Sequence, residues 1–173
     1  MNSPNDPKNP RFEDLVLPLL KDWVEAEPFP RGHTKHSFIS GDRTSLAIRV
    51  RYFKHRTDGT IHARAWFGPE TEGPPGHVHG GAQASLLDEV MGAAAWLSGH
   101  KVLAAKLEIN FRKPLPLLTV LTARSRIERI DGKKVYVRSE LVSDADVILS
   151  EGSGLFVVIN PAELVAVKSR SIL

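Results

Sequence analysis

Two neighbouring carboxylates, Asp88 and Glu89, sit near the middle of GHVHGGAQASLLDEVMGAAAWL (residues 76–97), a stretch that is otherwise apolar and opens on two glycines. A carboxylate in apolar surroundings is costly unless it is hydrogen-bonded or used, since burial without a partner either neutralises it or destabilises the fold. Put to use, it serves as a general base on water or as a nucleophile on an electrophilic carbon. The glycines supply the complement. His79-Gly80-Gly81 leaves the first helical turn almost bare, so backbone N–H groups and the positive end of the helix dipole can meet an oxygen that is gaining negative charge. Base and N–H donors together describe chemistry at a carbonyl.

The spacing predicts a helix over this stretch, and its faces follow from a rotation of about 100° per residue. Leu86, Leu87, Val90, Met91, Ala94 and Leu97 form a broad apolar stripe for a sheet; Gln83 falls near it for no reason the spacing supplies. The opposite face carries Gly81, Ala84, Ser85, Asp88, Gly92 and Ala95, all small except the aspartate. A face turned to water normally holds Lys, Glu or Arg. Small residues instead let a second backbone or a ligand come close, at a cost in helix propensity from Gly92; the alternative is packing on another part of the same chain. Glu89 is rotated about 100° from this face and ranks behind Asp88 as the catalytic carboxylate. Ser85, one turn before Asp88, is a candidate hydrogen-bond partner for it, and no His-Asp pairing recommends Ser85 as a nucleophile. Asp88 lies about 10 Å along the axis from Gly81, so one helix cannot bring both groups to one carbon. Two copies packed antiparallel through their small faces would, which predicts a homodimer with two shared sites.

The other elements frame this helix. Residues 1–10 (MNSPNDPKNP) are expected to be disordered, and RFEDLVLPLLKDWVEAE predicts an amphipathic helix within a lead-in and linker over 11–32, kinked at Pro18. KHSFIS reads as a short strand and TSLAIRVRYFKH as a longer one. TDGT (57–60) reads as a two-residue hairpin turn into IHARAWF, because Asp-Gly supplies positive φ. After a Pro- and Gly-rich loop and the helix come four strand-like segments, VLAAKLEINFRKP, LTVLTARSRIERI, KKVYVRSELVS and VILSEGSGLFVVIN, with a second Asp-Gly turn at 131–132. The tail, 161–173, is left for a short helix. Strands, one long helix, then meandering strands give an α+β fold with one antiparallel sheet, not a βαβ unit.

Composition narrows the rest. At 173 residues, 42% hydrophobic and 25% charged, the chain has room for one full core and is not of disordered type. The net charge of +3 carries no basic run of the kind that binds nucleic acid or a membrane surface. Without cysteine there is no thiolate nucleophile. His77 and His79 share a side of an extended segment, but a third metal ligand is not evident, so neither metal nor cofactor is expected. No signal-type segment and no apolar run of roughly 20 residues occurs, so a cytoplasmic protein is expected.

GPPGHVHGGAQASLLDEVMG (73–92) followed by KLEINFRKPLP (106–116) resembles the hotdog-fold acyl-CoA thioesterases of the PaaI type, in particular the THEM4-like group with its GPPG loop before HGG. The resemblance runs over about 33–160. It implies a curved antiparallel sheet wrapped around the long helix, with protomers joined edge to edge and often assembled further into tetramers. It implies hydrolysis of an acyl-CoA, expected to be medium to long chain, to a carboxylic acid and coenzyme A, a step of fatty acid metabolism. By position, Asp88 would be the base or nucleophile, Gly81 N–H would polarise the carbonyl and His79 would position the thioester. Substrate contacts are implied at Gly80, Ser85, Glu89, Ala104, Asn110, Arg112 and Lys113, the last two toward CoA phosphates or as ordinary solvated charges. Ala104 stands where many relatives carry a Ser or Thr that orients water, and Gly73 where others carry Asn. The alternative is a non-catalytic acyl-CoA binding or regulatory module; a hotdog dehydratase, which places its His and acid differently, is discounted. Trp96 is a candidate pocket wall.

Overall fold

The expected helix and the expected strand meander both form, and small residues in the strands explain how the one seats in the other. The computed structural model describes residues 6, 8–16, 22–29 and 37–160. It contains β1 (Trp23–Ala26), β2 (Ile48–His55), β3 (Ile61–Phe67), α1 (Gly80–Leu97), β4 (Val102–Phe111), β5 (Val120–Asp131), β6 (Lys134–Val142) and β7 (Ile148–Val158). The strands make one sheet in the order β1-β2-β3-β5-β6-β7-β4, every pair antiparallel, and α1 lies in its curl. This is the hotdog architecture.

The floor under α1 is built of residues with little side chain. Ala63 pairs with Ala123, Ser125 with Ser139, and Ser139 with Gly152, and all of these stand on the inner face. Ser125 and Ser139 are buried, and their hydroxyls donate to the carbonyls of Arg138 (3.3 Å) and Arg124 (2.9 Å), so neither is stranded beneath the helix, whereas Ser150 on β7 is buried with its Oγ unpartnered. A Cβ on Gly152 would stand 2.7 Å from Ile109 and 3.6 Å from Leu87 of α1, and one on Gly154 2.4 Å from Phe156 and 3.3 Å from Met91 of α1. Glycine at both positions lets the helix settle. Leu86, Leu87, Val90 and Met91 are then fully buried, as the apolar stripe predicts. Gln83 belongs to the stripe because its Nε2 donates to the carbonyl of Val78 (3.3 Å), tying helix to loop; its Oε1 is buried without a partner. At the other end Lys54 Nζ donates to the carbonyl of Leu97 (3.0 Å), a cation on the negative end of the dipole.

The N-terminal region departs from expectation. Among its described residues there is no α-helix, only a 3-10 turn at Phe12–Asp14 and the edge strand β1. Helical spacing loses here to tertiary contacts. Trp66 Nε1 donates to the carbonyl of Lys8 (3.2 Å), Arg49 to that of Pro10 (2.5 Å) and Arg51 to that of Glu13 (3.0 Å), so the chain is held as an irregular strap across the outer face of the sheet. Trp23 of β1 meets His55 of β2 at 5.0 Å and reaches across it to stack on His62 of β3 at 4.0 Å. KHSFIS is a turn over its described residues 37–40 and not the expected strand, with Ile39 in the core and the N–H of Gly41 donating to the carbonyl of Ser37 (3.2 Å). The TDGT loop is longer than a two-residue turn, since pairing stops at Lys54 and Ile61. The turn at Asp131-Gly132 is the two-residue one, its loop being Gly132-Lys133 between the paired Asp131 and Lys134, with Gly132 at φ +56°. Residues 17–21, 30–36 and 161–173, including Pro18 and the tail, lie outside the described residues.

Because α1 seats on a rigid floor, truncating its central contact should leave a cavity. Leu87→Ala is expected to lower unfolding free energy by about 2–5 kcal/mol, read from denaturant melts with little change in m-value.

Candidate active site

The tip of α1 is built by its own cap. His79 is the N-cap residue, and its Nδ1 accepts from the N–H of Gly81 at 2.9 Å. Nδ1 is therefore unprotonated, and the neutral ring carries its proton on Nε2, directed away from the cap. The expectation of a free Gly81 N–H is corrected: that donor is already engaged. Gly80, at the first helical position, keeps an N–H with no acceptor among the described residues. A Cβ on Gly80 would meet the Phe111 ring at 3.1 Å, so glycine is what lets Phe111 lie over the tip. The loop before the helix is pinned by His79 N–H to Thr71 O and Val78 N–H to Leu115 O, each 2.8 Å. Gly73 is explained too. A side chain there would stand 2.8 Å from His79 Cα, which leaves no place for the Asn of other relatives. His77 donates from Nδ1 to the carbonyl of Pro75 (2.9 Å).

Asp88 and Glu89 are adjacent and differ in surroundings. Asp88 is half-buried and makes no hydrogen bond or ion pair among the described residues, and burial pushes its pKa up. Ser85, expected to assist it, instead donates back to the carbonyl of Gly81 (2.8 Å), the usual alternative for a helical serine. Glu89 Oε1 accepts from Ser40 Oγ (2.8 Å) and Tyr52 OH (3.2 Å). Burial pushes Glu89 up against the opposing pull of these two hydroxyls, and burial followed by the nearby Glu89 charge pushes the Tyr52 phenol well up. One carboxylate is thus free and the other tied. Ser40 and Tyr52 were not among the residues picked out from the sequence. The only local sign was a tyrosine on the inward beat of β2, after Ile48 and Val50, whose hydroxyl needs a partner.

The remaining candidates divide. His77, Gly80, Gln83, Phe111, Arg112 and Lys113 border a cavity of about 540 Å³ beside the helix tip. Glu151 takes both the Nε of Arg112 (3.0 Å) and an Nη, and also Arg138 (3.1 Å), and these guanidiniums hold its carboxyl below the usual range. Lys113 has no ion-pair partner. Asn110 pairs with Glu151 on the outer face of the sheet, away from α1. Ala104 sits at the β4 bulge on the free sheet edge, exposed. Trp96 does not border this cavity; it donates to the carbonyl of Val102 (3.2 Å) and meets Phe29 edge-on at 6.0 Å, bracing the helix end.

The chain is similar to known proteins. A family model described as Thioesterase superfamily matches residues 75–149. The acyl-coenzyme A thioesterase THEM4 of Xenopus laevis is 37% identical over 141 residues, which covers 80% of this chain and 64% of that protein. A crystal structure of a thioesterase superfamily protein superposes with a TM-score of 0.66 at 31% identity, covering 71% of this chain and 60% of that one. A Bacillus halodurans protein solved with CoA gives a TM-score of 0.53 at 29% identity, covering 57% of this chain and 66% of that one. The chain spans 50% to 64% of the length of the first curated relatives it matches.

The raised pKa of Asp88 has a sign that stability can read. The fold favours the protonated carboxyl, so stability declines as pH rises from the ordinary aspartate range through the raised value. Asp88→Asn should therefore unfold at a higher denaturant concentration than the native chain at neutral pH, and the two should converge in acid below that range.

Proposed function

The chain belongs to the thioesterase superfamily, and from that premise we propose that it hydrolyses the thioester of an acyl-CoA to a carboxylic acid and coenzyme A. The observation that carries this reading is Asp88: a half-buried carboxylate with no partner of its own on a helix face of small residues. Such a group is maintained at a cost to the fold, which is the mark of a working base.

The site is shared by two protomers. β4 runs ten residues along the open edge of the sheet, with Leu103, Leu107 and Phe111 exposed at 49%, 37% and 55%. An edge of that length, with apolar side chains and no covering element, is suited to a second copy of the same strand. Pairing β4 to β4 brings the small faces of two α1 helices together, and Asp88 of one chain comes to the helix tip of the other. Asp88 then takes a proton from water as the oxygen attacks the thioester carbon. The oxyanion is met by Gly80 N–H and by the Nε2–H of His79, with Gly81 N–H fixing that ring from behind. As the C–S bond breaks, the Asp88 carboxyl returns the proton to the leaving thiolate. Lys113, and Arg112 on release from Glu151, meet the CoA phosphates at the rim of the cavity beside the tip.

Ala104 favours a second reading, an acyl-CoA binding module without turnover, because no hydroxyl stands there to orient water. The cytoplasm and fatty acid metabolism are the setting that goes with either reading. Among the described residues, no helix is long and apolar enough to cross a membrane.

Thiol release from a panel of acyl-CoAs separates the two readings. The thioesterase should turn over, and Asp88→Asn should lower kcat by about 100-fold or more with the dimer intact; acyl-CoA binding without thiol release leaves only the module. The shared site is tested separately. Ala105 has no register partner on β7, so Ala105→Pro should spare the fold, block the second strand and give inactive monomers by sedimentation.

A further inference from the structure

A water that attacks with Asp88 as its base is held at one point. A single hydrogen bond leaves such a water free to swing, so its reactive lone pair has no fixed direction. A second acceptor beside Asp88 would fix it. Ser85 is the one hydroxyl residue of α1, and it stands on the same small face, three residues before Asp88. Both side chains are only partly buried, so water reaches the space between them.

What the serine can offer there follows from the bond it already makes. Its one proton goes to the carbonyl of Gly81 at 2.8 Å, so toward the rest of its surroundings Oγ is an acceptor. An ionised Asp88 is acceptor only as well, and two acceptors make no bond with each other. Residues at i and i+3 of a helix carry Cβ atoms about 5–6 Å apart, and one water making two hydrogen bonds of about 2.8 Å spans about 4.5–5.5 Å. Polarity and separation both suit a single water, one O–H on each acceptor and a lone pair turned outward. Ser40 and Tyr52 give their protons to Glu89, and Ser125 and Ser139 lie beneath the opposite side of the helix.

Resting on the thioesterase reading, we propose that Ser85 Oγ accepts a hydrogen bond from the second O–H of the attacking water, so that one helix holds the nucleophile while the tip of the partner helix holds the carbonyl. As the water oxygen bonds to the thioester carbon, the proton facing Asp88 moves to the carboxylate. The proton facing Ser85 stays on that oxygen. Ser85 keeps its own proton on the Gly81 carbonyl throughout and forms no acyl ester.

The test is thiol release by variants of the full chain. Ser85→Ala should lower kcat about tenfold with KM within about twofold, the loss of one hydrogen bond to a reacting group. Its denaturant midpoint should be level with the native one or higher, because alanine is the better helix former. Ser85→Thr keeps a γ-oxygen able to make the same i−4 bond and should recover kcat to within about threefold of native. In an Asp88→Asn chain the change to alanine should cost less than about twofold, since both groups act on one water. A native-like kcat in Ser85→Ala, threonine no better than alanine, or an equal loss with and without Asp88 overturns the proposal. Absence of thiol release from any acyl-CoA by the native chain would instead remove the thioesterase reading on which it stands.

Discussion

The close approach of α1 to the sheet is the constraint on which the rest depends. A floor of Ala63, Ala123, Ser125, Ser139 and Gly152, with Gly154 beside it, admits Leu87 and Met91 at a depth that larger residues would forbid. Depth fixes rotation, because a helix seated on one stripe cannot turn without lifting that stripe out. Rotation in turn sends Asp88 toward the open side of the curl and Glu89 toward β2. The chemistry of two adjacent carboxylates is therefore settled by glycines more than sixty residues away in the chain.

That separation of roles is electrostatic as much as geometric. Both carboxyls feel burial, which disfavours their charge. Glu89 receives two hydroxyl donors as compensation and becomes part of the frame. Asp88 receives none, so its cost remains, and only a ligand or a second subunit can meet it. His79 shows the same economy of donors at the helix tip: by accepting from Gly81 it fixes its own tautomer and leaves Nε2–H and Gly80 N–H as the groups that face outward.

The helix and its two faces were legible in the sequence because a 3.6-residue spacing is local, and so was the Asp131-Gly132 turn, whose positive φ is a property of one residue. What depended on distant partners was not legible. Ser40 and Tyr52 lie 49 and 37 residues from Glu89, and nothing near either marks the contact. The Gly81 N–H was read as free because the spacing of His-Gly-Gly does not say that the imidazole folds back onto it. Ser85 was assigned to Asp88 by its position one turn away, yet a helical serine finds its own i−4 carbonyl with no help from the rest of the fold. Gln83 made sense only once Val78 stood beside it.

The N-terminal region is the instructive failure. Phe12, Leu15 and Trp23 have helical spacing, but helix formation is a weak preference that a few side-chain anchors override. Arg49, Arg51 and Trp66 lie on the outer face of the sheet, where their donors need acceptors. The strap supplies them through the carbonyls of Pro10, Glu13 and Lys8, which a helix would have kept for its own hydrogen bonds. An α-helix in this region could not have offered those carbonyls to the sheet, because it would have used them as acceptors for its own N–H groups.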